Sequence, residues 1–313
     1  KVIMSNFKSL IIEVKYPSGS FTSICNSFLS FKNKANIDVE TEILLTNLDK
    51  QDAFKKNSQF KIFKIDSTIT KIHGFTNSAY LTQIIIPSSV TLIEEYAFKD
   101  CTLLKQITIP ESVTKIDKGA FFHCISLSQL SIPSSITEIN ESTFEGCTSL
   151  IQISIPDSVK KIYRSAFLNC KSLTHVSIPS SITEISESTF EGCISLIHIS
   201  LPDSLIRIGI NAFCNCKSLI HFEIPYSVDI IEEYAFKNCF SLSCISIPPF
   251  ISYFDKCSLE NCVSLVQIVS LPQPRPIYVK IIDISNQIYG CLSLKQIVIP
   301  GKLDDELFIN NIT

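Results

Sequence analysis

Residues 133–155 read PSSITEINESTFEGCTSLIQISI, and the same frame returns along the chain every 23 residues. Cys147 has counterparts at Cys101, Cys124, Cys170, Cys193, Cys216, Cys239 and Cys262. Proline recurs at the same interval from Pro87 to Pro248, and Phe144 recurs from Phe98 to Phe236, with Leu259 in the next place. Residues 150–155 have the form L-x-x-I-x-I with β-branched side chains in alternation, which predicts a short strand. Pro156 has no amide N–H to give a ladder, so it ends that strand and keeps the preceding residue extended. Ser135 and its counterparts, from Ser89 to Ser227, stand two residues past the proline, where a hydroxyl satisfies a turn. Ile136 and Ile139 lie three apart, a spacing that leaves their segment open between a bent strand and a helical turn.

A period of 20–29 residues in a leucine and isoleucine frame is the signature of a leucine-rich-repeat solenoid. A lone 23-residue unit buries too few apolar side chains to offset its ordering entropy, so stability must come from stacking unit on unit. The expected fold is an α/β leucine-rich-repeat solenoid, a right-handed horseshoe-like superhelix of mostly short parallel strands and turns. Residues 131–158 and 177–204 differ at only four of 28 positions, which is the mark of block duplication and not of a tuned catalytic centre.

Working outward, the frame is kept in residues 51–300, with eleven strand segments and a stack roughly 50 Å long at about 4.8 Å per strand. Asn57 takes the cysteine's place in the first unit, the unit around residues 69–86 is two residues short and lacks the cysteine, and LPQPRP at 271–276 interrupts the period before Cys291 restores it. Residues 1–50 do not keep the repeat and read as a capping segment over the open edge. Residues 301–313 read as a C-terminal cap or a truncated repeat. The chain starts at Lys1 with no initiator Met and no signal-peptide pattern, so it reads as a processed or clipped piece whose start does not assign a compartment.

Composition narrows the function. Apolar residues make 45% of the 313 and charged residues 18%, which excludes a disordered chain. The net charge of −3 leaves no basic stripe for nucleic acid. No run of eighteen apolar residues is present to span a bilayer. With eight glycines and no phosphate-cradling loop, nucleotide chemistry is excluded as well. The regular cysteine column reads as buried structural thiols, since parallel inward Cβ vectors are poor disulfide geometry. Cys25, Cys214, Cys244 and Cys257 lie off the column and are the candidates for reaction or pairing.

Alternation places two outward columns on the concave sheet face. One runs Gln83, Gln106, Gln129, Gln152, His175, His198, His221, Cys244, Gln267, Gln296, and the other is mostly Ser and Thr. The plainest reading is an uncharged polar face with amides bonded along the stack. The stacked histidines also allow a pH-responsive face. A straight ladder spreads three ligands too widely for a closed zinc site, so no metal is assigned. Ile151, Ile197, Ile220 and Val266 stand beside the histidines. His175, Ile197, His198, Ile220, His221 and Glu223 are therefore the candidate partner-binding residues. Ser200 with His198 or His221 and Glu223 can be drawn as a triad, but an open sheet offers neither an oxyanion hole nor a strained nucleophile turn. No catalytic residue and no cofactor is assigned. The triplets at Asn140 and Asn311 fit N-glycosylation sequons, at a frequency near chance.

The motif I-P-x-S-[VI]-T-x-I-x-x-x-[AT]-F-x-x-C-x-S-L-x-x-I, as in residues 110–132 and 156–178 with the isoleucine before each, closely resembles the BspA-like leucine-rich-repeat family. The resemblance covers about residues 50–300. It implies a solenoid of bacterial-surface or parasitic-protist type that adheres to host matrix proteins or to other cells, and it carries no catalytic residue set. The expectation is a monomeric, non-enzymatic, cell-surface or extracellular protein that binds a host matrix or cell-surface protein. An intracellular, cytoplasmic scaffold of the same fold is the alternative.

Overall fold

The computed structural model describes residues 10–14, 41–45, 62–249, 251–255, 257–270, 288–298 and 306–308. Asn57, Cys25, the LPQPRP insertion and the sequon at Asn311 lie outside the described residues. Over the described residues the chain is a β-solenoid of stacked coils, most of which contribute one strand to a parallel main sheet and a two-residue strand to a second, narrower ladder. Strands of the main sheet include Gln83–Ile85, Gln106–Thr108, His175–Ser177, His198–Ser200, His221–Glu223 and Cys244–Ile247. Their register is one period per step: Gln83 faces Gln106 and His175 faces His198. Between Gln106 and His175 the pairing thins to single bridges, Gln106 to Gln129, Ser131 to Ser154 and Gln152 to His175.

At its start the sheet reaches into the segment expected to cap it. Leu10–Val14 pairs in parallel with Thr41–Leu45, which pairs with Ile62–Ile65. At the far end Glu306–Phe308 pairs antiparallel with Gln296–Val298. That strand departs from the parallel pairing that joins the strands before it.

Among the described residues no helix occurs, so the helical half of the expected α/β class has no counterpart there. The Ile136–Ile139 ambiguity resolves to strand: Glu138–Ile139 pairs with Lys161–Ile162. Backbone conformation in the following turn shows why a helix does not form. Each coil places two residues in the left-handed region, for example Ser142 (φ 54°) and Gly146 (φ 72°), or Asn211 (φ 54°) and Asn215 (φ 61°). A right-handed helix cannot continue through such residues. At Gly146 the small residue also serves the stack, since a Cβ there would lie 2.1 Å from the His123 ring of the preceding coil.

The core is a set of one-residue columns. Phe75, Phe98, Phe121, Phe144, Phe167, Phe190, Phe213 and Phe236 are all fully buried. Their rings stack in sequence, Phe121 to Phe144 at 5.6 Å and 3°, Phe167 to Phe190 at 5.4 Å and 1°. Near-parallel planes at that centroid distance are offset stacks, the favoured arrangement. Beside them each column thiol donates to the carbonyl of the Phe one coil back, as Cys170 Sγ does to Phe144 O at 3.2 Å and Cys193 Sγ to Phe167 O at 3.3 Å. Ser78 stands in the cysteine's place in the short unit, buried with its Oγ unpartnered.

The serine after each proline does something other than close its own turn. The turn is closed by the backbone, Ile136 N donating to Pro133 O at 3.1 Å. Ser112 Oγ instead donates to Val90 O at 2.7 Å and Ser158 Oγ to Ile136 O at 2.7 Å, each one coil back. Ser158→Ala leaves that carbonyl short of a partner, so we expect a loss of about 1 kcal/mol in urea unfolding. A change below a few tenths of a kcal/mol would show that the serine column does not tie the coils together.

Candidate functional site

The outward side chains of the main sheet form the site region. Alternation buries Val176 and exposes His175 and Ser177 on either side of it, and the same holds for Phe222 between His221 and Glu223. A shallow groove of about 1250 Å³ follows this face over six coils, from Gln83 to His198 and Ser200. Its outward lining is amide, hydroxyl and imidazole together with the exposed Ile85, and Asp157 is its one charged residue. The face is therefore grooved over these coils and nearly uncharged.

A second groove of about 610 Å³ continues from it, lined by His198, Asp203, His221, Glu223, Tyr226 and Cys244 among others. The structure thus brings His175, His198, His221 and Glu223 to the grooved face. Ile197 and Ile220, each 45% exposed, belong to neither lining. They sit one residue before the strands His198–Ser200 and His221–Glu223, on the rim.

Within the histidine run, the His175 and His198 rings lie 6.4 Å apart. His221 Nδ1 meets Ser243 Oγ at 3.4 Å, and among the described residues no hydrogen bond joins Ser200 to either His198 or His221. Among the described residues no group of three His, Cys, Asp or Glu side chains comes together as a metal ion requires. Of the amide ladder expected of the glutamines, one rung is made among the described residues, Gln267 Nε2 donating to Gln296 Oε1 at 3.1 Å. A longer one runs elsewhere, through the left-handed turn residues, with Asn261 donating to Asn238 at 3.1 Å and Asn238 to Asn215 at 3.2 Å.

Charge is handled differently on the two sides of the coil. On the turn side, Glu141 accepts from Arg164 at 2.9 Å and pairs with Lys118 at 3.0 Å. Those hydrogen bonds hold the Glu141 carboxyl below its ordinary value. On the grooved side, neither Asp203 nor Glu223 makes an ion pair among the described residues. Asp157, Asp203 and Tyr226 were not singled out from the sequence. The residue after each proline was the available signal, since the strand ends there and that residue is delivered to the groove's edge.

The off-column cysteines separate in the structure. Cys214 is buried, and burial pushes its thiol up to about 11. Cys244 and Cys257 are half-buried, and no disulfide joins two of the described cysteines. Asn140, the first sequon residue, donates its Nδ2 to Ile116 O at 2.7 Å, so the nitrogen a glycan would need is engaged in the stack.

The BspA type leucine rich repeat region (6 copies) is matched over residues 73–197 and 183–312. Among solved structures, a leucine-rich repeat protein of T. pallidum is 28% identical, covering 57% of this chain and 83% of its own, with a TM-score of 0.49. One from Bacteroides ovatus is 23% identical, covering 93% of this chain and 92% of its own, with a TM-score of 0.43. The pneumococcal vaccine antigen PcpA is 18% identical, covering 85% and 76%, with a TM-score of 0.50, and shares the fold. No curated protein matches the chain. Among the described residues no helix is long and apolar enough to cross a membrane. With the matched repeats spanning well over half of its residues, the chain belongs to the BspA-type leucine-rich-repeat family.

Proposed function

We propose that this chain is a monomeric, non-enzymatic protein-recognition solenoid that sits at the cell surface and adheres to host matrix or cell-surface proteins. The continuous groove on the sheet face, about 1250 Å³ across six coils, carries this reading. Its mostly polar, nearly uncharged lining offers many modest hydrogen bonds and no assembled nucleophile, which suits recognition and not turnover. In this proposal residues 51–300 form the solenoid, the grooved sheet is the inside of a right-handed horseshoe-like superhelix, and His175, Ile197, His198, Ile220, His221 and Glu223 carry the contact. Ile197 and Ile220 on the rim supply apolar area beside the polar groove. A cytoplasmic scaffold of the same fold is the second reading, favoured by the buried column thiols, which donate to backbone carbonyls and are not paired with one another, since oxidising compartments pair cysteines.

Impermeant biotin applied to intact source cells separates the two. Labelling supports the surface reading, and labelling only after permeabilisation overturns it. On immobilised matrix proteins, replacing His198 and His221 with alanine is expected to weaken binding by about tenfold, within the range of ordinary interface residues. Both side chains are exposed, so thermal stability should stay within about 0.5 kcal/mol of the parent. Unchanged binding would remove the histidine rows from the contact.

A further inference from the structure

Between Gln106 and His175 the main sheet is held by single bridges, and at one later step not even a bridge is made among the described residues. His198–Ser200 ends one sheet and His221–Glu223 begins the next. On the earlier side, Ser195 N donates to Lys171 O at 3.2 Å, Ile197 N to Thr174 O at 3.0 Å, and Ile178 N to Ser200 O at 2.9 Å. On the later side, Ser241 N donates to Lys217 O at 3.2 Å, Ser243 N to Ile220 O at 2.8 Å, and Ile224 N to Ser246 O at 3.1 Å. The counterparts between them would be Ser218 N to Ile194 O, Ile220 N to Ile197 O, and Leu201 N to Glu223 O, and none of the three is made.

The opening is one-sided. On the turn side the same two coils stay joined, with Arg207–Ile208 paired to Glu184–Ile185 and Gly192 N donating to Cys214 O at 2.8 Å. Phe190 and Phe213 stack across this step at 5.7 Å, against 5.4 Å for Phe167 to Phe190 and for Phe213 to Phe236. Ile199 and Leu201 are only partly buried, whereas Val176, Ile178, Ile245 and Ile247 in the same columns are buried. The second groove, about 610 Å³, lies at this place.

One side chain accounts for the position. From Ile84 onward the inward strand column is Ile, Leu or Val except at Phe222. Its ring stands edge-on to Phe213 at 5.0 Å and to Phe236 at 4.7 Å. A flat ring against two stacked rings needs more depth than an isoleucine, so it holds its strand away from the preceding one.

We propose that Phe222 is a wedge that splits the sheet between Ser200 and His221 and so sets the distance between the two halves of the grooved surface. Ile197 and His198 lie on one side of the split, and Ile220, His221 and Glu223 on the other. Phe222 touches no partner and acts as a positioning residue through the strands it separates. The proposal refines the binding surface put forward above, but its test needs no partner, so failure of the wedge and failure of the adhesion reading are told apart.

Amide hydrogen exchange, resolved by residue, reads the split directly. In the parent protein the amides of Ile220 and Leu201 are expected to exchange at least 100-fold faster than those of Ile197 and Ile178, their bonded counterparts one coil earlier. In Phe222→Ile the strands close, and the Ile220 and Leu201 amides slow at least tenfold while Ile197 and Ile178 hold steady. Equal protection of the two pairs in the parent overturns the split, a result that stands even if the variant fails to fold. Fast exchange that persists unchanged in a folded Phe222→Ile variant overturns the wedge.

Discussion

Phe167→Ala is expected to destabilise the array by about 3–5 kcal/mol, the usual loss for a buried phenylalanine cut to alanine. Phe167 is fully buried, and its ring stacks on Phe144 at 5.5 Å and on Phe190 at 5.4 Å. Its removal therefore damages two coil interfaces at once. In a stack where each coil touches only its neighbours, stability is a sum of coil and interface contributions, so the damage stays local. Urea unfolding should then broaden or split, with the coils before and after Phe167 melting separately. Phe167→Leu is the control, because Leu259 already fills the same column and is fully buried. It should cost less than about 1.5 kcal/mol, as a roughly volume-conserving exchange does. A loss below about 1 kcal/mol for the alanine variant would mean that the ring stack is not what holds the coils together.

The columns were legible because a stack repeats each side chain in the same surroundings. Phe, Cys and Pro keep register in the chain, and the structure returns them as continuous files of buried rings, thiols and strand ends. What a single unit hides is any bond that crosses to its neighbour. Ser158 looked like a turn residue, yet its acceptor is Ile136 O, 22 residues back. The two left-handed positions were half readable. Asn, Asp or Gly precedes most of the column cysteines, as at Asp100, Gly146, Asn169 and Asn238, and these residues favour that conformation. Tyr96 and Tyr234, at φ 53° and 58°, gave no such sign. They are held there by the stack, with Tyr96 N donating to Lys118 O at 3.0 Å.

On the candidate surface the sequence located the histidine rows but not the relief. Alternation alone puts His175, His198, His221 and Glu223 on one face, and they are there. Whether that face is grooved depends on how neighbouring coils splay, a property of backbone spacing with no residue pattern of its own. Phe222 was visible as the one aromatic in an aliphatic column after Ile84. Its consequence for the ladder needed the edge-on geometry against Phe213 and Phe236.

The thiol column carries the second large expectation, a steep loss of stability above pH 9. Burial pushes the Cys147 and Cys193 thiols up to about 12, and it drives those of Cys124, Cys170 and Cys216 well above their ordinary value. Cys101 and Cys239 move in the same direction for the same reason. The native state thus favours the protonated thiol, while the unfolded chain releases its proton near pH 9. Their contribution is complete below the unfolded value and is lost as pH rises toward the folded one. At pH 10 each such thiol gives up on the order of 1 kcal/mol, and several together rival the 5–15 kcal/mol of a typical fold. Urea unfolding at stepped pH under reducing conditions measures the slope. In a Cys147→Ala, Cys193→Ala variant the fall between pH 9.5 and 10.5 should be shallower by about 2–3 kcal/mol per pH unit, whatever the substitutions cost at neutral pH. Lysines and tyrosines that titrate in the same range are common to both proteins and cancel in the comparison. Identical slopes would mean that water reaches the column and that the coils are not packed as tightly as the buried thiols require.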